Sequence, residues 1–167
     1  GVAAARGCYA KAGVPEDEYT TPFKDLRFNE EAIVIYHEPN AHTDGDSFVY
    51  FPEANVLDVG DTGGANRYPN MDVRGGGTID GEIAAAQIAL DKSNATTKIV
   101  PGHGPLATKA DYQAYHDMLV TIRDRVAKLK ADKKTEDQAV AAKPLADIQA
   151  QIKQDDMASE RVVRQVY

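Results

Sequence analysis

Hydrophobic and polar positions change texture near residue 31. Before it, Gly13, Pro15 and Pro22 interrupt every apolar run, and Glu16-Asp17-Glu18 forms a solvated acidic stretch; this pattern predicts an irregular connector over residues 1–30, with at most a short helical remnant at 8–12. After it, Ala32-Ile-Val-Ile-Tyr36 and Ser47-Phe-Val-Tyr-Phe51 are β-branched and aromatic runs of strand length. Asn55-Val-Leu-Asp-Val59 follows the second run across the turn residues Pro52-Glu-Ala, so the two predict an antiparallel hairpin. Lys98-Ile-Val100 predicts a short fourth strand.

Helical periodicity occupies the intervals between and after these strands. Ile79, Ile83, Ala86 and Leu90 make one apolar stripe behind a capping Thr78, predicting a helix over residues 79–91. Tyr115, Met118, Leu119, Ile122, Val126 and Leu129 make a second stripe on a long helix capped by Thr108. Thr135-Glu-Asp-Gln138 reads as a capping box for a short helix that Pro144 ends, and a last helical turn is expected from Ser159. The glycine-rich stretch 60–77 lacks periodicity and reads as a long functional loop. Strands alternating with helices define an α/β (α+β) chain, a mixed sheet with helices on its outer face, with one domain over residues 31–167.

Composition narrows the function. With 19 basic against 26 acidic side chains the net charge is −7, which argues against a partner bound through phosphates, so no nucleic acid is expected. No run approaches the roughly 20 apolar residues needed to span a bilayer, and no signal peptide is visible, so a soluble protein of cytoplasm or periplasm is expected. The one cysteine, Cys8, leaves no intrachain disulfide.

Three polar residues share one context. His42, Asp61 and His103 each follow a predicted strand and each have glycine nearby. If those strand ends lie on one edge, two imidazoles and a carboxylate converge, a donor set suited to Zn²⁺, Fe²⁺ or Mn²⁺. On spacing alone, solvated turn residues are the other reading. Asp44 and Asp46 read as carboxylates that orient a histidine. His37 and His116 read as ordinary surface residues, and Arg74-Gly-Gly-Gly77 lacks the Lys-Ser/Thr of a phosphate-binding loop.

His42-Thr-Asp-Gly-Asp-Ser-Phe-Val-Tyr-Phe-Pro52, Asn55-Val-Leu-Asp-Val-Gly-Asp61 and Lys98-Ile-Val-Pro-Gly-His-Gly-Pro105, taken in order, resemble the metallo-β-lactamase superfamily. Arg67-Tyr-Pro, Gly76-Gly-Thr-Ile-Asp-Gly81 and the closing Glu160–Tyr167 stretch extend the resemblance over residues 31–167. It implies an αββα sandwich, one or two zinc ions (iron or manganese as variants), and metal-bound hydroxide attacking a small-molecule lactam, ester, thioester or phosphoester. It implies ligation of the first metal by His42, bridging by Asp61 and ligation of the second metal by His103. The superfamily's H-x-H-x-D-H segment does not occur here, so the resemblance is to a C-terminal half that provides part of a site. Alone, such a chain is expected to be inactive, and a non-catalytic half-domain, weakly metal-binding or associating, is the alternative. The expected partner is the N-terminal half or a second copy, across a sheet face bearing Ile33, Ile35, Phe48 and Tyr50. Gly63 and Gly64, where relatives carry bulky residues, are expected to loosen the pocket wall.

Overall fold

The computed structural model describes residues 19–167. Cys8, the acidic stretch 16–18 and the helical remnant expected at 8–12 therefore lie outside the described residues. Five strands form one sheet in the order β1 (Phe23–Phe28), β2 (Glu31–Glu38), β3 (Asp46–Phe51), β4 (Val56–Gly60) and β5 (Lys98–Pro101). The first three junctions are antiparallel and β4–β5 is parallel. A parallel pair needs a crossover, which helix α1 (Ile79–Lys92) provides. Helices α2 (Lys109–Ala131), α3 (Glu136–Ala141), α4 (Ala146–Ile152) and α5 (Asp156–Val166) follow.

The helix caps form as their sequences dictate. Thr78 accepts from Gly81 N, and both Thr108–Asp111 and Thr135–Gln138 close reciprocal capping boxes. Three elements depart from the sequence reading. Strand β1 falls inside the segment assigned to an irregular connector. Its sequence does not alternate strictly, and it becomes a strand by pairing with β2 across a two-residue turn. Asn29 (φ 50°) and Glu30 (φ 68°) give that turn the backbone twist of a hairpin. Helix α4 starts on Leu145 without a side-chain cap, leaving no local signal to read. Helix α5 begins three residues before the expected Ser159, because Asp155 caps it by accepting from Ala158 N.

Register assigns the two faces of the sheet. Val34 pairs with Tyr50 and Tyr36 with Phe48, so these four share a face with Leu57 and Val59. Helices α1 and α2 cover that face: Phe48, Leu57, Val59 and Ile99 are buried against Ala85, Ala89, Leu90 and Tyr112. Ile33, Ile35, Val49, Phe51, Val56 and Val100 point the other way, and none of them is buried. The apolar face expected from sequence therefore mixed two faces. Phe48 and Tyr50 lie under the helices, whereas Ile33 and Ile35, half-buried, lie on the side that no helix among the described residues covers, since neighbours along a strand alternate. A second cluster, around Ile122, Val126, Leu145, Val162 and Val163, packs α2 to α5 together with Tyr68 from the long loop. No helix among the described residues is long and apolar enough to cross a membrane.

Candidate functional site

Strand direction brings the three candidate residues to one edge. Strand β2 runs parallel in sense to β4, with β3 reversed between them, and β5 runs parallel to β4. The C-terminal ends of β2, β4 and β5, from which His42, Asp61 and His103 emerge, therefore share an edge of the sheet. Ligand sites of open α/β sheets collect outside such carboxyl ends.

Asp61 and His103 stand together: His103 Nε2 lies 3.4 Å from Asp61 Oδ1, with the two side chains 68% and 38% exposed. Gly102 makes this approach possible, since a Cβ there would fall 2.3 Å from Asp61 Oδ1. Gly102 N also donates to Gly60 O at 2.6 Å, joining the two loops.

His42 is held separately. Its Nδ1 lies 3.4 Å from Asp46 Oδ1, and Asp46 Oδ2 accepts from Thr43 N at 2.5 Å. The His42 loop is pinned to the 72–78 segment: Asp72 N donates to His42 O (2.8 Å), Asp44 N to Gly75 O (2.8 Å) and Thr78 N to Asn40 O (2.8 Å). Asp44 also presents its backbone oxygen to His37 Nε2 at 3.0 Å. Among the described residues no three His, Cys, Asp or Glu side chains form a group able to hold a metal. The donor chemistry suits zinc, yet the set is open: these residues alone do not close a metal site.

Behind this edge lie groups that sequence periodicity did not single out. Glu82, fully buried on α1, accepts from Tyr115 OH at 3.2 Å through Oε2, and its Oε1 has no partner. Burial pushes its carboxyl up to about 8, with Asp46 adding to the rise and the Tyr115 bond and Arg67 opposing it. Glu38, also buried and with Oε1 unpartnered, is raised to about 7 by burial and by Asp46. Glu82 sits in the middle of an amphipathic stripe, where a polar residue among Ile79, Ala85, Ala86 and Ala89 was the available signal.

Gly63 and Gly64 do not loosen the wall. A Cβ at Gly63 (φ +100°) would meet Tyr115 Cε1 at 2.6 Å, and one at Gly64 would meet Arg67 Cδ at 2.9 Å, so those side chains already fill the space. Arg67 donates to His103 O at 3.1 Å. It also lines a cleft of about 380 Å³ between α2 and α4, together with Met118, Ile148 and Ile152.

No family model and no curated protein matches this chain. Solved structures do. A metallo-β-lactamase from Pontibacter korlensis superposes with a TM-score of 0.58 at 19% identity, over 71% of this chain and 53% of that one. The B3 metallo-β-lactamase BLEG-1 gives 0.53 at 25% identity, over 64% and 50%. The inverting sec-alkylsulfatase Pisa1 from Pseudomonas sp. gives 0.67 at 15% identity, over 92% and 27%. The described residues thus carry part of the metallo-β-lactamase fold, a mixed sheet with helices. The chain spans about half the length of each of these two lactamases.

Proposed function

We propose that this chain is the C-terminal half of a metal-dependent hydrolase of the metallo-β-lactamase fold, and that His42, Asp61 and His103 are its share of the ligands. The observation that carries this reading is the Asp61–His103 pair, set 3.4 Å apart at the carboxyl ends of two parallel strands with His42 on the same edge. Zinc, the preferred metal, would contribute an acidified bound water and a polarised electrophile in the completed protein. This chain's own residues set the donors in place: Gly102 lets Asp61 approach His103, Asp46 orients His42, and Arg67 holds the His103 backbone. The substrate class is a lactam, ester, thioester or phosphoester. The remaining donors come from a segment that lays a second sheet on the open face, either the N-terminal half or a second copy.

The open donor set favours a second reading, a non-catalytic half-domain that associates through its bare face. One experiment separates them. The chain is co-expressed with an H-x-H-x-D-H half of the same fold class, and zinc content and hydrolysis are measured with and without EDTA. Stoichiometric zinc and EDTA-sensitive turnover, both lost in His103→Ala, are expected. A stable complex that takes up no zinc would leave only the association module.

A further inference from the structure

Helix α2 places Tyr112 and Tyr115 one turn apart, with ring centroids 5.9 Å from each other. Both are buried, and both address the two residues that follow Asp61. Tyr112 OH donates to Thr62 O at 2.9 Å. The Tyr115 ring lies against the α-carbon of Gly63 closely enough to exclude a Cβ. Thr62 is itself buried and turned back on β4, its Oγ1 donating to Val59 O at 2.7 Å. Tyr115 is fixed from behind by Glu82 of α1. The segment after Asp61 is therefore clamped by side chains from both helices.

We propose that Tyr112, Tyr115 and Glu82 form a positioning clamp that fixes the Asp61 loop against His103. This rests on the reading that the Asp61–His103 edge is the working edge of the site. The physical argument is one of leverage. Asp61 follows a left-handed glycine, Gly60 (φ 52°), at a register shift in the β4–β5 pairing. Sheet pairing therefore stops holding the chain at the residue before Asp61. Loops at strand ends keep several conformers unless packed, and a donor displaced by about 1 Å no longer meets a partner at hydrogen-bond or ligand distance. The clamp replaces the ladder with two buried hydroxyl groups and a ring. It also accounts for glycine at 63, because the ring occupies the volume any larger residue would need.

The test uses four variants of the full chain and two readouts. Tyr112→Phe removes the hydroxyl on Thr62, Glu82→Leu removes the acceptor that fixes Tyr115, and Glu82→Gln keeps a carbonyl acceptor. Val126→Ala, in the separate helical cluster, is the stability control. The metal-free readout is the ¹H–¹³C resonance set of the His103 ring, and the second is Zn²⁺ affinity by titration calorimetry. Tyr112→Phe and Glu82→Leu are expected to shift the His103 resonances and weaken Zn²⁺ binding at least tenfold. Glu82→Gln should restore both, and Val126→Ala should lower Tm without moving either. His103 resonances unchanged in Tyr112→Phe, or moved equally by Val126→Ala, would overturn the clamp. Because the donor set of the chain alone is open, absence of zinc uptake by the parent bears on neither the ligand assignment nor the clamp, and the His103 resonances then decide the clamp by themselves.

Discussion

Glu82 makes the folded state sensitive to alkali. Its carboxyl is fully buried, has one partner and is raised from 4.5 to about 8 on folding, chiefly by desolvation. A raised carboxyl means that the folded state holds a proton the unfolded chain has released. Its stabilising contribution is complete below about pH 4.5 and is lost as pH rises through about 8. At about 1.4 kcal/mol per tenfold change in proton affinity, the loss across that window is on the order of 4–5 kcal/mol. Glu38, raised to about 7, acts in the same direction over pH 4.5–7. Domains of this kind hold only about 5–15 kcal/mol in all, so these two groups weigh heavily. Asp147, lowered to about 2 by its hydrogen bonds from Arg125, works oppositely: its contribution is present above about 3.8 and is lost as pH falls through 2. Its exposure keeps that term small.

Stability should therefore peak near pH 5 and fall steadily to pH 9. Urea denaturation at pH 5, 7 and 9 measures this for the parent and for Glu82→Gln, which keeps an acceptor for Tyr115 and cannot ionise. The variant's curve should be flatter, and above pH 8 it should be the more stable protein. A parent curve that is flat or rising between pH 5 and 9, or a Glu82→Gln curve parallel to it, would refute the assignment of a buried neutral acid at this position.

Three further outcomes follow from the packing. Gly63→Ala should cost about 1–3 kcal/mol in urea denaturation, since the added methyl meets the Tyr115 ring at a left-handed backbone position. Arg125→Ala, despite removing a forked pair with Asp147 at 2.6 and 2.8 Å, should cost less than about 1 kcal/mol in the same assay, because both groups are solvent-exposed. Ile35→Glu should abolish association through the sheet face in sedimentation velocity while leaving the circular dichroism spectrum of the monomer unchanged, because Ile35 lies on the face that no described helix covers.

Local chemistry made much of this fold legible. Strands β2 to β5 are β-branched runs bounded by Gly, Pro and Asn, and the caps at Thr78, Thr108 and Thr135 are side-chain signals readable within four residues. That His42, Asp61 and His103 each follow a strand is readable from the sequence, whereas the sharing of one edge depends on the directions of β2, β4 and β5. What stayed illegible depends on partners distant in sequence. Strand β1 exists because β2 offers it a ladder, and the facing of Ile33 against Phe48 depends on register. Glu82 stands within the apolar stripe of α1, but its partner Tyr115 lies on α2, 33 residues away, so no local pattern shows that it is buried. The two glycines at 63 and 64 read as absent bulk because the ring and the arginine stem that fill their space come from elsewhere in the chain.

The bare face and the open donor set bear on each other through geometry. Association of a sheet proceeds either edge to edge or face to face. Both edges here resist the first route. Strand β1 carries Lys24, Asp25 and Arg27 within six residues, a charged edge of the kind that deters strand addition. On the other side Ile99 and Ala107 already exchange backbone hydrogen bonds at 2.9 Å, which occupies the free side of β5. The face offers Ile33, Ile35, Val49 and Phe51, all partly buried, so that covering them completes a burial already begun. On the proposed reading, a second sheet laid on that face would bring its own strand ends toward the rim where Asp61 and His103 stand, so one contact would both hide the apolar side chains and supply further donors. Edge pairing would do neither. The two routes predict different variants: Ile35→Glu should abolish both association and zinc uptake, whereas Arg27→Val on the edge should leave both in place. Zinc bound stoichiometrically by an Ile35→Glu monomer would break the link between the face and the site.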